Sequence, residues 1–238
     1  MLNNFTIMQN RIDVFVIRFS NELRFNEVPL LRSGVLSIME HDANVLFHNH
    51  LSDEGFRYSY PLIQYKRINR KAAIVCFGEG CNTVGEFFAT QNMKFMMGEL
   101  PVELKLEKLQ PRKFVIQVWD TMFTYTLRKW LPFNQDNYRK YTLIEGVAEK
   151  VLFLQNILIG NMLSMTKGVG IHIDKEIVCN ITEVSSPRIV RAKGVKLLSF
   201  DIEFKSNLSI PDYAGIGKHA SIGFGTIVKK RNSNRDEE

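Results

Sequence analysis

The order in which the apolar pattern changes period between residues 12 and 109 restricts the topology of this chain more than any other feature. Residues 12–17, Ile-Asp-Val-Phe-Val-Ile, are β-branched and aromatic and read as a strand. Residues 29–39 place Leu30, Leu31, Val35, Leu36 and Met39 at helical spacing. Two strands follow, at 62–68 and 72–77, with Asn69-Arg70 as a tight connection. Thr83 and Glu86 have the spacing of a capping box, which predicts a short helix over 84–90. Residues 102–109 then alternate as a strand. The resulting order, β-α-β-β-α-β, is the split βαβ or ferredoxin-like arrangement, shared with RNA-recognition motifs.

Pro111 breaks the pattern, and residues 114–119 and 123–127 predict a second pair of strands. A long helix is expected over 144–165, ended by Gly168 and Gly170. Strands are expected at 177–184, 196–204 and 224–228. The fold class expected is α+β: two tandem ferredoxin-like units, 1–110 and 111–230, the second degenerate, with a solvated tail over 231–238.

The chain has 238 residues, with 45% hydrophobic and 24% charged, enough for a sizeable core without staples. The formal net charge is +6, of which the last ten residues contribute only +1, so the body itself suits a polyanion partner. Cys76, Cys81 and Cys179 are odd in number and fit neither a redox pair nor a zinc ribbon, which predicts reduced, structural thiols. No secretory signal opens the sequence, so the expected location is the cytoplasm. The most apolar run, 147–165, is interrupted by Glu149, Lys150, Gln155, Asn156 and Asn161, and reads as a buried helix, not a membrane span.

Residues 215–225 read Gly-Ile-Gly-Lys-His-Ala-Ser-Ile-Gly-Phe-Gly. Gly215, Gly217, Gly223 and Gly225 form two Gly-hydrophobic-Gly units around five residues that include Lys218, His219 and Ser221. Glycine lets backbone approach a ligand closely, and successive N–H groups can form an anion-binding concavity. Ile216 and Phe224 are expected to anchor the two ends in the core. No GxxxxGK[ST] string exists, and the frame is not the strand-to-helix turn of a dinucleotide fold. A purely structural glycine-rich turn is the alternative.

The frame resembles the glycine-rich loop of the RAMP superfamily, and its C-terminal position resembles that in the CRISPR-associated processing endoribonucleases, the sixth Cas family. Residues 46–50, Leu-Phe-His-Asn-His, followed by Tyr-Pro-Leu-Ile-Gln-Tyr-Lys at 60–66, resemble the "b" branch of that family. The likeness is specific at these two segments and weak between 110 and 195. It implies two ferredoxin-like domains, cleavage of precursor CRISPR RNA within its repeats, and paired catalytic histidines. The partners implied are the repeat RNA and other Cas proteins of an interference complex; a homodimer is expected, and no membrane.

His48 and His50 are two apart, so an extended backbone points both rings the same way. A neutral imidazole can take the 2′-hydroxyl proton while a protonated one serves the leaving 5′-oxygen. A cation, Lys66 or Lys218, can stabilise the phosphorane. The expected products are a 2′,3′-cyclic phosphate and a 5′-hydroxyl, without metal or other cofactor. Which histidine is base stays open. A metal site built from His41, His48 and His50 is a rival, and Asp53 falls one place late for a His-x-His-x-Asp-His hydrolase. His172 reads as a solvated loop residue.

Basic residues gather at Lys66, Arg67, Arg70 and Lys71; at Lys105, Lys108, Arg112 and Lys113; and at Arg188, Arg191, Lys193 and Lys196. The third group is nearly free of acids and is the one expected to follow an RNA backbone, through Arg188, Arg191 and Lys193. Trp119 and Trp130 are expected in the core. The rival functions are a non-catalytic RAMP-type RNA-binding subunit and an RNA-binding module outside CRISPR biology.

Overall fold

The computed structural model describes residues 10–38, 60–89, 93–192 and 194–231. It divides into two compact units. The first comprises Met1–Val115 with Lys167–Ile171 and Ser221–Gly223; the second comprises Ile116–Thr166, His172–Ala220 and Phe224–Glu238.

The first unit runs β1 (Arg11–Glu22), a 3-10 turn at Phe25–Glu27, α1 (Val28–Ser37), β2 (Ile63–Ile68), β3 (Lys71–Phe77), α2 (Gly80–Ala89), a hairpin of β4 (Lys94–Met97) and β5 (Leu100–Glu103), and β6 (Leu106–Val115). Its four-stranded sheet has the order β2-β3-β1-β6, antiparallel at every junction. Numbering only those four strands, the order is 2-3-1-4, the ferredoxin-like sheet. The core is Ile17, Phe19, Leu31, Val35, Tyr65, Ile74 and Cys76, all buried, with the helices supplying Leu31 and Val35. Asn69 and Arg70 both take positive φ, 49° and 68°, the geometry of a two-residue hairpin turn whose twist matches its strands.

Four local expectations are corrected. The strand expected at 102–109 is divided between β5 and β6, and the pair expected at 114–119 and 123–127 is the end of β6 and one continuous strand, Val118–Trp130. The helix begins at Gly80, so Thr83 lies inside its first turn and cannot be the N-cap of a capping box. Pro111 does not end a strand: β6 passes through it, with Pro111 opposite Phe15. β6 is an edge strand, where a missing N–H costs no ladder bond on the open side.

The second unit runs β7 (Val118–Trp130), α3 (Gln135–Leu143), α4 (Val147–Gly168), β8 (Cys179–Val184), β9 (Arg188–Ala192), β10 (Val195–Leu208), a 3-10 turn at Ala220–Ile222 and β11 (Thr226–Lys229). Its main sheet has the order β11-β7-β10-β8, with β9 pairing the first part of β10. Leaving β9 aside, the same 2-3-1-4 order recurs, so both units are ferredoxin-like and the chain is an α+β protein of two such domains. The second is degenerate in one respect. Where a ferredoxin-like unit has its second helix, between its third and fourth strands, this one has residues 209–225, which hold only the 3-10 turn.

Tyr125, stacked on Phe204 with ring centroids 5.3 Å apart, centres the core of this unit. Its hydroxyl donates to the Leu208 carbonyl at 3.1 Å and accepts from the Ile210 N–H at 3.0 Å, which fixes the exit of β10 towards the glycine-rich segment. The cysteines are free and buried, and burial pushes the thiols of Cys81 and Cys179 up to about 12, which keeps them protonated and unreactive. Among the described residues no helix is long and apolar enough to cross a membrane.

Candidate nucleic-acid interface

The glycine-rich segment is knitted to the end of β7. The Ile216 N–H donates to the Gly225 carbonyl at 2.9 Å, which closes the base of the loop, and Gly215 bridges Thr226. The Gly225 N–H donates to the Lys129 carbonyl at 3.1 Å and the Lys218 N–H to the Leu131 carbonyl at 3.0 Å. Lys129 takes a φ of 52°, a kink that lets its carbonyl and that of Leu131 both meet the loop. Ile216, Ile222 and Phe224 are buried, so the apolar centres of both Gly-hydrophobic-Gly units anchor the loop as expected.

These bonds alter the expected anion cradle. The N–H groups of Ile216, Lys218 and Gly225 are spent inside the protein and cannot hold a phosphate. The glycines are needed for close packing. A Cβ on Gly217 would lie 2.9 Å from the Trp130 indole and from the Leu131 carbonyl oxygen. One on Gly225 would overlap the Ile216 carbonyl oxygen. Within the first unit, one on Gly223 would lie 3.3 Å from the Phe25 ring and 3.6 Å from the Tyr65 carbonyl oxygen. The loop also presents side chains: Lys218 is exposed, and Ser221 and His219 are half-buried. His219 has a φ of 58°, with its ring 6.1 Å from that of Phe224.

Lys66 follows Tyr65 on β2 and is buried, 1% exposed. Its cross-strand partner on β3 is Ala73, whose small side chain leaves room for the lysine stem. Burial brings the ammonium down to about 7, so near neutrality the amine is divided between its charged and neutral forms. Two more members of its sequence cluster are occupied structurally: Arg67 Nε donates to the Leu23 carbonyl at 2.6 Å, and Lys71 pairs with Glu107 at 2.9 Å.

Arg188 and Arg191 are exposed on β9. Arg188 lies 3.9 Å from Asp201, which also faces Arg128 at 3.7 Å. Arg191 stands directly opposite Lys196 on β10. Like charges at opposed strand positions repel, and a polyanion lying across the pair relieves that repulsion. His48 and His50, with His41, Asp53 and Lys193, lie outside the described residues. His172 is exposed.

One arrangement escaped the sequence reading. Trp119, expected in the core, is 38% exposed. Its ring lies 6.5 Å from that of Phe123, and Lys229 Nζ sits 4.1 Å over the Phe123 ring. An exposed indole can stack a base, and a cation over the neighbouring ring can hold a phosphate. The signal was the i, i+4 aromatic pair at the start of a strand, which is indistinguishable from core until the strand's edge is located.

Comparison with known proteins places both halves. Residues 10–115 match the model of the Cas6b N-terminal domain, and residues 117–230 that of the Cas6b C-terminal domain. A crystal structure of Cas6b superposes with a TM-score of 0.81 at 26% identity, over 92% of this chain and 100% of that one. A structure described as the CRISPR RNA processing endoribonuclease Cas6b gives 0.70 at 26% identity over the same shares. Csf5, a type IV Cas6 crRNA endonuclease, shares the fold with a TM-score of 0.54 at 13% identity, over 93% of this chain and 100% of that one. An uncharacterized protein of Methanocaldococcus jannaschii is 34% identical over 113 residues, 47% of this chain and 76% of its own length. With both domain models matched in order and across nearly the whole length, the chain belongs to the Cas6b family.

Proposed function

We propose that this protein is a metal-independent endoribonuclease that cleaves CRISPR repeat RNA to mature guide RNA. The observation that carries the reading is the likeness of both domains to Cas6b, including a relative described as a CRISPR RNA processing endoribonuclease. In this mechanism His48 and His50 divide the proton transfers. One takes the proton of the 2′-hydroxyl, whose oxygen attacks the adjacent phosphorus. The other donates to the departing 5′-oxygen. The products are a 2′,3′-cyclic phosphate and a 5′-hydroxyl.

Lys66 suits the stabilisation of the dianionic phosphorane. A buried amine near 7 gains a proton as negative charge builds beside it, in surroundings where an ion pair counts for far more than in water. Gly215, Gly217, Gly223 and Gly225 shape the loop that carries Lys218, His219 and Ser221 to the RNA. Arg188, Arg191 and Lys193 follow the phosphate backbone away from the cut.

The test is cleavage of the cognate repeat RNA in excess EDTA, beside a substrate carrying a 2′-deoxy group at the cut site. The first is cut and the second is not. His48→Ala and His50→Ala each lower the rate by about 10²–10⁴-fold while RNA binding persists. A requirement for added metal would reject the mechanism, and full activity in both variants would remove these histidines from it.

A further inference from the structure

One face of the first unit's sheet carries a row of basic side chains across all four strands. Directly opposed residues of an antiparallel pair share a face. Lys66 on β2 stands opposite Ala73 on β3, Ala73 opposite Arg18 on β1, and Arg18 opposite Lys108 on the edge strand β6. Gln110 and Arg112 continue this face along β6, opposite Val16 and Val14. Lys108 and Arg112 belong to the second basic group of the sequence, and both are exposed.

The fold leaves these charges unmatched. Arg18 and Lys108 are like charges at opposed positions, which works against strand pairing. Nearby ion pairs join Lys71 to Glu107 and Lys113 to Asp13. Arg18, Lys108 and Arg112 are in none among the described residues. Lys71, and more weakly Arg18 and Lys108, hold the Glu107 carboxyl below its usual range, but its pairing, at 2.9 Å, is with Lys71.

Two details are independent of charge counting. The Arg18 Nε is buried and has no hydrogen-bond partner among the described residues, although a buried donor left without an acceptor is costly. Gln110, with its amide turned so that the oxygen meets donors, accepts from Arg112 Nη2 at 3.2 Å and from Lys108 Nζ at 3.3 Å. Residues four apart on a strand are about 13 Å apart along the backbone. One oxygen thus draws two mutually repelling cations to a common point. Being uncharged, it gathers them without neutralising them.

We propose that Arg18, Lys108 and Arg112, gathered by Gln110, clamp one phosphodiester of the repeat RNA on the sheet of the first unit. The proposal rests on the reading of this chain as a protein that holds repeat RNA. The clamp lies three strands from Lys66, about 14 Å across the sheet. A phosphate fixed at a set distance from the cation assigned to the cut fixes the register of the RNA, and so which linkage reacts.

The test is binding of repeat RNA, made non-cleavable by a 2′-deoxy group at the cut site, at several salt concentrations in EDTA. Lys108→Ala with Arg112→Ala weakens binding at least about tenfold and lowers the salt slope by roughly 1–2. Lys105→Ala with Lys113→Ala removes the same charge from the same segment, outside the row, and changes both quantities little. Gln110→Glu places a carboxylate between the two cations. It weakens binding as much as the first double variant and leaves the protein no less stable to heat, so the loss is not one of folding. A single uncharged methylphosphonate, moved linkage by linkage along the RNA, weakens binding to the parent at one position that is silent in the Lys108, Arg112 variant. Equal losses in the two double variants, a Gln110→Glu protein that binds like the parent, or a scan with no such position, as a site for free phosphate would give, would each overturn the clamp. A parent that binds repeat RNA but does not cut the unmodified form refutes the nuclease alone, and the slope and scan still decide the clamp. A parent that binds no repeat RNA overturns both.

Discussion

Lys66 couples the stability of the fold to the charge that the proposed chemistry uses. Its pKa is lowered by burial to about 7 in the folded protein, against 10.5 for the ordinary side chain. Below pH 7 the residue is charged in both the folded and unfolded states, and the folded state bears the full desolvation cost. Above about 10.5 it is neutral in both and the cost is gone. Stability therefore rises with pH between those limits as far as Lys66 is concerned, by at most about 5 kcal/mol from a shift of this size. Lys66→Met lacks that dependence. Urea unfolding of both proteins at pH 6.5, 8 and 9.5 will show the stability of the parent gaining on that of the variant as pH rises. A difference independent of pH would mean that Lys66 keeps an ordinary pKa and is not the poised cation proposed here.

The elements explain why the glycine-rich segment is rigid without being helical. β7 ends in a kink at Lys129, and the carbonyls of Lys129 and Leu131 take two loop N–H groups. Gly225 returns the chain against the Ile216 carbonyl at a φ of 60°. Gly225→Ala thus adds a backbone collision to an unfavourable φ and is expected to cost about 2–5 kcal/mol. Gly78→Ala is its control: φ is 53° but a Cβ would meet nothing within 4 Å, so only the dihedral cost of about 1–2 kcal/mol remains. Equal losses of stability for the two in thermal unfolding would refute the packing role of Gly225. The strands β1, β2 and β3 were legible in the sequence because β-branched runs such as those around Val16 and Ile74 are largely buried. Three elements were not. β4, Lys-Phe-Met-Met, buries only Phe95 and is too short to show a period. α3 buries none of its residues, so it has no apolar stripe to betray it. β9, Arg-Ile-Val-Arg-Ala, has exposed Arg188, Ile189 and Arg191 and so lacks an inside-outside alternation. At the site, sequence spacing identified the loop's anchors Ile216 and Phe224 correctly. It could not show that two of the loop's N–H groups would be taken by carbonyls at and just beyond the end of β7, because that pairing joins residues far apart in the chain.

At the scale of the whole molecule, a net charge of +6 and an exposed basic ribbon on β9 and β10 make salt the sharpest probe of the proposed RNA contact. Each phosphate neutralised on a single strand releases about 0.7 of a counterion, and the logarithm of the binding constant falls with the logarithm of salt in proportion. Arg191 and Lys196, opposed across the ribbon, gain most from a bound phosphate because binding also removes their mutual repulsion. Replacing Arg188 and Arg191 together by alanine should weaken repeat-RNA binding and reduce the salt slope by roughly 1–2. His48→Ala should leave that slope unchanged, since a residue that moves protons in the transition state contributes little to the ground-state counterion balance. Binding isotherms at several salt concentrations, run on the parent and both variants in EDTA, separate the two roles. An unchanged slope in the arginine variant would take β9 out of the RNA path. A histidine variant that binds with the parent's slope but does not cut would distinguish an enzyme from a subunit that only holds its RNA.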